Sequence, residues 1–143
     1  MSTENQIHLK GRYQREEGIA GGTISPGMLI EETSAAAQTY QAHSTAGGVA
    51  ERIVAVEDAL QGHTIDDDYS AGDLVSANVE LPGNRCQMFL AAGENVAKEA
   101  KLESDGAGAL QAVTTGTVIA IAKEAKDLSG SGAVATLIDV ALV

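Results

Sequence analysis

The residues best suited to chemistry in this sequence are a run of carboxylates, Asp66-Asp67-Asp68, with Asp73 shortly after it. Clustered carboxylates are the ligands that Ca²⁺ prefers in proteins. An EF-hand loop beginning at Asp66 would need glycine at position 71 and glutamate at position 77. The sequence has Ala71 and Ala77 there instead. We therefore interpret the cluster as a solvated acidic turn and predict no metal-ligating residue.

A catalytic dyad of His63 and Asp66 is the second possibility. Such a dyad needs a nucleophile, and the sequence lacks the G-x-S-x-G motif that would present a serine. The glycines of Gly106-Ala107-Gly108 lack the third glycine of a dinucleotide-binding loop, so they favour a hairpin turn. The sequence thus predicts no catalytic and no cofactor-binding residue, and we expect a protein that is not an enzyme.

The remaining reactive side chains also favour structural roles. One cysteine and three scattered histidines do not make a zinc framework. Cys86 lies in an apolar segment and is predicted to be a small core side chain. His8 and His43 are predicted to lie on the surface, and His63 in a polar loop.

Amino-acid composition and net charge limit the size of the protein and the classes of partner that it could bind. The chain has 143 residues, 44% of them hydrophobic, with one Phe and no Trp. This is typical of one domain with a core of short aliphatic side chains. A net charge of −11 opposes binding to nucleic acid and to anionic membranes. Residues 1–17 are polar where a signal peptide would be apolar, so we expect synthesis in the cytoplasm.

Turn signals divide most of the chain into short apolar segments. Pro26-Gly27 and Pro82-Gly83 are turn sequences, and Asp105-Gly106 predicts a hairpin between segments 96–102 and 109–113. The segment from Val49 fits either a helix or a strand, and its β-branched residues favour the strand. Strands are predicted within 28–32, 35–43, 49–57, 73–80, 85–91, 117–124 and 133–143. The pattern predicts a mainly β protein, a small single-domain β-barrel or β-sandwich with little helix.

The N-terminal segment differs from the rest of the chain. Residues 1–17 are polar and include Lys10, Arg12 and Arg15, a third of the nine basic residues. We predict an extended N-terminal arm at 1–17, a flexible joint at 18–22, and a β-rich body spanning 18–143. A frayed terminus without a role is the alternative.

The order of elements from about residue 18 onward resembles that of the head decoration (cement) proteins of tailed phages. The resemblance rests on residues 24–30, 48–58, 62–73, 91–96 and 105–120. It implies a compact β-domain that binds the outer surface of an expanded phage head as a homotrimer. The implied partners are the major capsid protein and other copies of the chain, with no nucleic acid, membrane or cofactor, and the implied location is the virion.

Such proteins commonly add contacts to the shell through an N-terminal arm. For this chain the resemblance therefore implies apolar anchors and basic side chains in the arm as capsid-binding residues. These residues are Ile7, Leu9, Lys10, Arg12, Tyr13 and Arg15.

Two other functions stay open. One is a small β-barrel carrier or ligand-binding module, which would need Lys123 or Lys126 at the tip of a hairpin. The other is an enzyme with a polar pocket around residues 66–73.

Overall fold

The computed structural model describes residues 5–143, which form thirteen β-strands and one turn of 3-10 helix at Ala59–Gln61. The predicted mainly β fold with little helix is confirmed. The strands are β1 (His8–Lys10), β2 (Tyr13–Ala20), β3 (Leu29–Glu32), β4 (Thr39–Ala42), β5 (Ile53–Ala55), β6 (Leu74–Glu80), β7 (Arg85–Leu90), β8 (Asn95–Val96), β9 (Lys101–Ser104), β10 (Leu110–Ala112), β11 (Ala120–Ala122), β12 (Lys126–Asp127) and β13 (Thr136–Leu142).

The first half of the chain forms a closed barrel in the order β2-β4-β3-β5-β6. All of its neighbouring strands are antiparallel except β2 and β4, which run parallel. Successive side chains of a strand point to opposite faces, so every second residue of each strand faces the barrel interior. Val75 and Ala77 of β6 face this interior, where they pack with Ile30, Ile53 and Tyr40.

The second half of the chain forms another ring of strands. The sheet runs β1-β7-β10-β9-β11-β13, and β13 also pairs with β7. Five strands, in the order β7-β10-β9-β11-β13, are therefore joined in a closed ring. The pairing of β13 with β7 extends from Thr136↔Leu90 to Ala141↔Arg85, and β8 and β12 form a separate two-stranded sheet.

The two barrels have separate hydrophobic cores that adjoin at β3 and β5, and together they form a single domain. Ile30 and Ile53 point into the first barrel, whereas their neighbours Leu29 and Val54 are buried in the second core. That alternation lets β3 and β5 serve as a wall of one barrel and a packing surface for the other. The larger core consists mainly of Leu, Ile, Val and Ala, as composition predicts.

The structure corrects the prediction of a separate N-terminal arm. Ile7 is fully buried in the second core, and β1 pairs with β7. Strand β2 crosses the predicted boundary at residue 18 without a break and pairs with β6 from Tyr13 onward. Within residues 5–17 the chain is therefore part of the body; residues 1–4 of the predicted arm lie outside the described residues.

Gly18, predicted to begin a flexible joint, is instead a packing position in β2. A Cβ atom at Gly18 would lie 2.5 Å from Cε2 of Tyr40 and 2.6 Å from the carbonyl oxygen of Gln38. Only glycine lets β2 approach the Tyr40 ring this closely. The polar character of β2 misled the prediction because one face of the strand is open to solvent along most of its length.

Most of the other predicted strands are present. Segments 28–32, 73–80, 85–91 and 133–143 contain β3, β6, β7 and β13. The ambiguous segment 49–57 contains a strand, β5, and the predicted hairpin joins β9 to β10 with Leu110 opposite Ser104. In segment 35–43 only residues 39–42 are strand, and in segment 117–124 only residues 120–122 are; β8 and β12 were not predicted. No helix within residues 5–143 is long and apolar enough to cross a bilayer.

Candidate functional site

A groove of about 350 Å³ lies between β1, β2, β6 and the 3-10 helix. We call it the β1–β2 groove. Three of the six predicted capsid-binding residues, Leu9, Tyr13 and Arg15, line it. The full lining is Gln6, His8, Leu9, Tyr13, Arg15, Val56, Glu57, Ala59, Leu60 and Asn78.

The other three predicted residues lie elsewhere. Ile7 is a core residue with no exposed surface, so it cannot be an anchor for a partner. Lys10 ends β1 and is exposed. Arg12 is exposed in the connection to β2, where its backbone carbonyl accepts a hydrogen bond from Asn84 at 2.6 Å. Three of the six predicted residues therefore lie together in the β1–β2 groove, and Ile7 is not on the surface.

A buried carboxylate lies beneath the groove. Glu80 has no exposed side-chain surface, and its oxygens lie 2.8 Å from Nδ1 of His8 and 2.8 Å from Nδ2 of Asn84. The other ring nitrogen of His8, Nε2, lies 2.9 Å from the carbonyl oxygen of Gly11. Both ring nitrogens of His8 therefore lie within hydrogen-bonding distance of an oxygen. His8, predicted to be a surface residue, is half-buried and contacts the fully buried carboxylate of Glu80.

The floor of the groove contains a free hydrogen-bond acceptor. Asn78 is 2% exposed, and within the described chain its Oδ1 has no hydrogen-bond partner. Glu57 accepts a hydrogen bond from the backbone N–H of Ile7 at 3.1 Å, and Arg15 donates to the hydroxyl of Ser76 at 3.2 Å. Because Oδ1 of Asn78 is buried, it contributes to the packing beneath the groove rather than to its open surface.

The rim of the groove is apolar. Leu60 is 92% exposed on the 3-10 helix, and Tyr13 is 43% exposed on β2. Tyrosine is enriched at protein–protein interfaces, whereas leucine is not among the residues that usually dominate them.

Two of the four carboxylates in the acidic loop accept local hydrogen bonds. Asp67 accepts the backbone N–H of Thr64 at 2.7 Å, and Asp73 accepts that of Ser70 at 2.8 Å. The bond from Thr64 lowers the pKa of Asp67. Within residues 5–143, no three His, Cys, Asp or Glu side chains converge as metal ligands would. His63 is exposed, and the pocket beside it is lined by Asp58, Gln61, His63, Asp68, Tyr69, Asp73 and Leu74.

His43 is buried, which corrects the prediction that it lies on the surface. It is 2% exposed, with Nε2 at 3.0 Å from the carbonyl oxygen of Val49 and Nδ1 at 2.7 Å from the hydroxyl of Ser104. His43 follows β4 and contacts Ser104 of β9 in the second barrel. The two residues are far apart in sequence, so no local pattern predicts this contact. Cys86 is a buried core side chain, as predicted, and burial raises its pKa.

The lysines required by a carrier module are not at a hairpin tip. Nζ of Lys123 lies 2.8 Å from a carboxylate oxygen of Glu99, on the neighbouring connection. Lys126 belongs to β12 and is paired with Val96 of β8. Neither is presented in the way that covalent attachment of a cofactor would need.

Comparison with known proteins identifies a similar fold. No protein-family model matches the chain, and no curated protein matches it significantly in sequence. Among solved structures, the chain is similar to the head fiber gp8.5 N base in bacteriophage phi29, with a TM-score of 0.62. The match covers 92% of this chain and 95% of that one at 13% sequence identity. The fold described above is therefore shared with a protein of a phage head.

Proposed function

We propose that this chain is a structural protein of a tailed-phage head that decorates the outer capsid surface. It binds the major capsid protein, clamps neighbouring subunits against internal pressure, and acts as a homotrimer without catalysis or cofactor. The observation that carries the proposal is the shared fold, which extends over nearly the whole length of both this chain and the phi29 head fiber base.

The surface of the molecule supports a binding role. The β1–β2 groove is bordered by the exposed side chains of Leu60 and Tyr13, whereas Asp67 and Asp73 of the acidic loop are engaged in local hydrogen bonds. A ligand that spans several capsid subunits must be released before they separate, so its binding free energy adds to the stability of the shell. Three linked copies would strengthen attachment through multivalency.

Co-sedimentation with expanded shells that lack the protein tests this function. We expect the chain to pellet with the shells in saturable amounts and to raise the temperature at which the shells release DNA. Bovine serum albumin, another acidic protein, is the control and should stay in the supernatant. If the chain stays in the supernatant with albumin, the proposal is wrong. If it pellets but does not raise the temperature of DNA release, the clamping role is wrong.

Light scattering of the free protein, together with a cryo-electron microscopy reconstruction of decorated shells, tests the trimer. We expect a threefold cluster in at least one of the two. Monomers in solution and single copies on the shell would show that the homotrimer is wrong.

A further inference from the structure

Strand β2 has one edge that is only partly used. Along its first edge it pairs with β6 over its length, from Tyr13↔Glu80 to Ile19↔Leu74. Along its second edge it pairs with β4 at two positions, Ile19↔Thr39 and Ala20↔Tyr40. Residues 13–17 therefore have no strand beside them on this second edge within the described chain, and we call these five residues the open edge.

Every second backbone N–H group of the open edge points away from β6. Ile19 and Gly21 donate their N–H groups toward β4, to Gln38 and Tyr40, each at 2.8 Å. Ala20 donates in the opposite direction, to Asp73 at 2.8 Å. Because N–H groups alternate between the two edges of a strand, those of Tyr13, Arg15 and Glu17 point to the open edge.

An unpaired edge of this kind is a template for another strand. Natural proteins usually shorten, cover or bulge such edges. Here the pairing of β2 with β6 is regular throughout, and the side chains of the open edge are mostly exposed. An extended segment could therefore hydrogen-bond to the backbone without rearrangement of the barrel.

Charge indicates what kind of segment fits. A hollow of about 390 Å³ lies where β2 and β4 diverge, and we call it the acidic hollow. It is lined by Glu16, Glu17, Glu32, Gln38 and Tyr40. Glu16 accepts a hydrogen bond from the Tyr40 hydroxyl, and Glu32 accepts one from the backbone N–H of Gln38 at 2.9 Å. Three carboxylates beside an open edge favour a strand that carries Lys or Arg.

We infer that the open edge of β2 binds an extended, basic segment of the capsid protein by strand addition, with its Lys or Arg side chains against the acidic hollow. A second copy of this chain is a poorer occupant of this edge, because its own β2 would bring Glu16 and Glu17 against the same carboxylates of the acidic hollow. The inference rests on the proposed function and names the contact through which that function would operate.

Two substitutions at position 15 separate the contribution of the backbone N–H to binding from that of the side chain. Arg15→Pro removes the outward N–H and places a ring on the open edge, a position where proline is tolerated in a sheet. Arg15→Ala removes the same side chain but keeps the N–H. In co-sedimentation with expanded shells, we expect Arg15→Pro to bind at least about tenfold more weakly than Arg15→Ala, because added strands depend on main-chain hydrogen bonds. Equal binding of the two variants overturns strand addition.

Hydrogen exchange measured by mass spectrometry gives a second test that needs no variant. Peptides that cover β2 should become protected at about three more amides when the wild-type chain binds shells, those of Tyr13, Arg15 and Glu17. Unchanged exchange in β2 overturns the inference even if Arg15→Pro fails to fold. If the wild-type chain does not bind shells, both the proposed function and the inference are wrong. If it binds, but the two variants bind equally or exchange in β2 is unchanged, only the inference is wrong.

The same variants test the alternative occupant. If the open edge joined copies of this chain, Arg15→Pro would change the oligomeric state of the free protein in sedimentation equilibrium while Arg15→Ala would not. That result would overturn the capsid segment as occupant. We expect both variants to keep the wild-type state.

Discussion

At the scale of single residues, Glu80 connects parts of the chain that are far apart in sequence. Its carboxylate contacts His8 of β1 and Asn84 of the turn before β7, and it lies at the end of β6. A carboxylate without exposed surface is stable only when its partners are in place, because desolvation is otherwise uncompensated. This one residue therefore ties β1 and the second barrel to the first.

Glu80→Gln tests that connection. The substitution keeps the shape of the side chain but replaces one oxygen of a carboxylate that accepts hydrogen bonds from Asn78 and Asn84 with an amide donor. We expect the free energy of unfolding to fall by about 1–3 kcal/mol, the usual cost of a buried hydrogen-bonding mismatch. Urea unfolding followed by circular dichroism measures it. Glu51→Gln, at an exposed position, is the control and should change stability by less than about 0.5 kcal/mol; equal effects would mean that Glu80 has no special role.

At the scale of elements, Glu103 fastens the β9–β10 hairpin to the loop that follows it. Its carboxylate accepts hydrogen bonds from Gln111 at 3.0 Å, Thr114 at 3.1 Å and the backbone N–H of Gly116 at 2.8 Å. The bond from Gln111 is the largest of the causes that lower the pKa of Glu103 below its ordinary value of 4.5. The loop therefore prefers the charged carboxylate.

This preference makes a prediction about acid stability. A lowered folded-state pKa means that the stabilisation is present above the unfolded pKa and is lost as the pH falls through the folded value. We expect wild-type protein to be more stable than Glu103→Gln at neutral pH, with the difference shrinking below pH 4.5. Unfolding curves of both proteins between neutral and acidic pH measure this. A difference that stays constant would show that charge on Glu103 does not matter.

At the scale of the whole molecule, the N-terminal segment is part of the fold. Ile7 fills the second core, β1 extends the sheet at β7, and β2 closes the first barrel. A segment that contributes to both barrels cannot be detached in the way that a free arm could. A deletion of residues 1–15 should therefore unfold the protein rather than leave a soluble body.

Ile7→Ala gives the quantitative form of this prediction. Truncation of a buried isoleucine costs about 2–5 kcal/mol, from lost burial and from the cavity that remains. Val134→Ala, at a position that is 70% exposed, is the control and should have little effect. Thermal unfolding of the two variants decides the matter. If Ile7→Ala melted with the control, and the deletion variant stayed folded, the segment would be an arm after all.

The sequence by itself determined the class of the fold. Proline-glycine and aspartate-glycine turns, with short aliphatic segments between them, specify strands locally, and β3, β6, β7, β13 and the β9–β10 hairpin follow from them. The same local reasoning placed Cys86 in the core. Turn chemistry and side-chain alternation need no knowledge of distant residues, so these features could be predicted.

Only the tertiary structure decided which polar segments are covered. Strand β2 has the composition of a solvated arm, yet pairing with β6 makes it a barrel strand and leaves one edge open. Ile7, His8 and His43 owe their burial or their partners to residues many positions away, such as Glu80 and Ser104. The β1–β2 groove and the open edge arise from the same long-range pairings. Strand pairing over long sequence distances fixes which face is buried, and no local pattern encodes that choice.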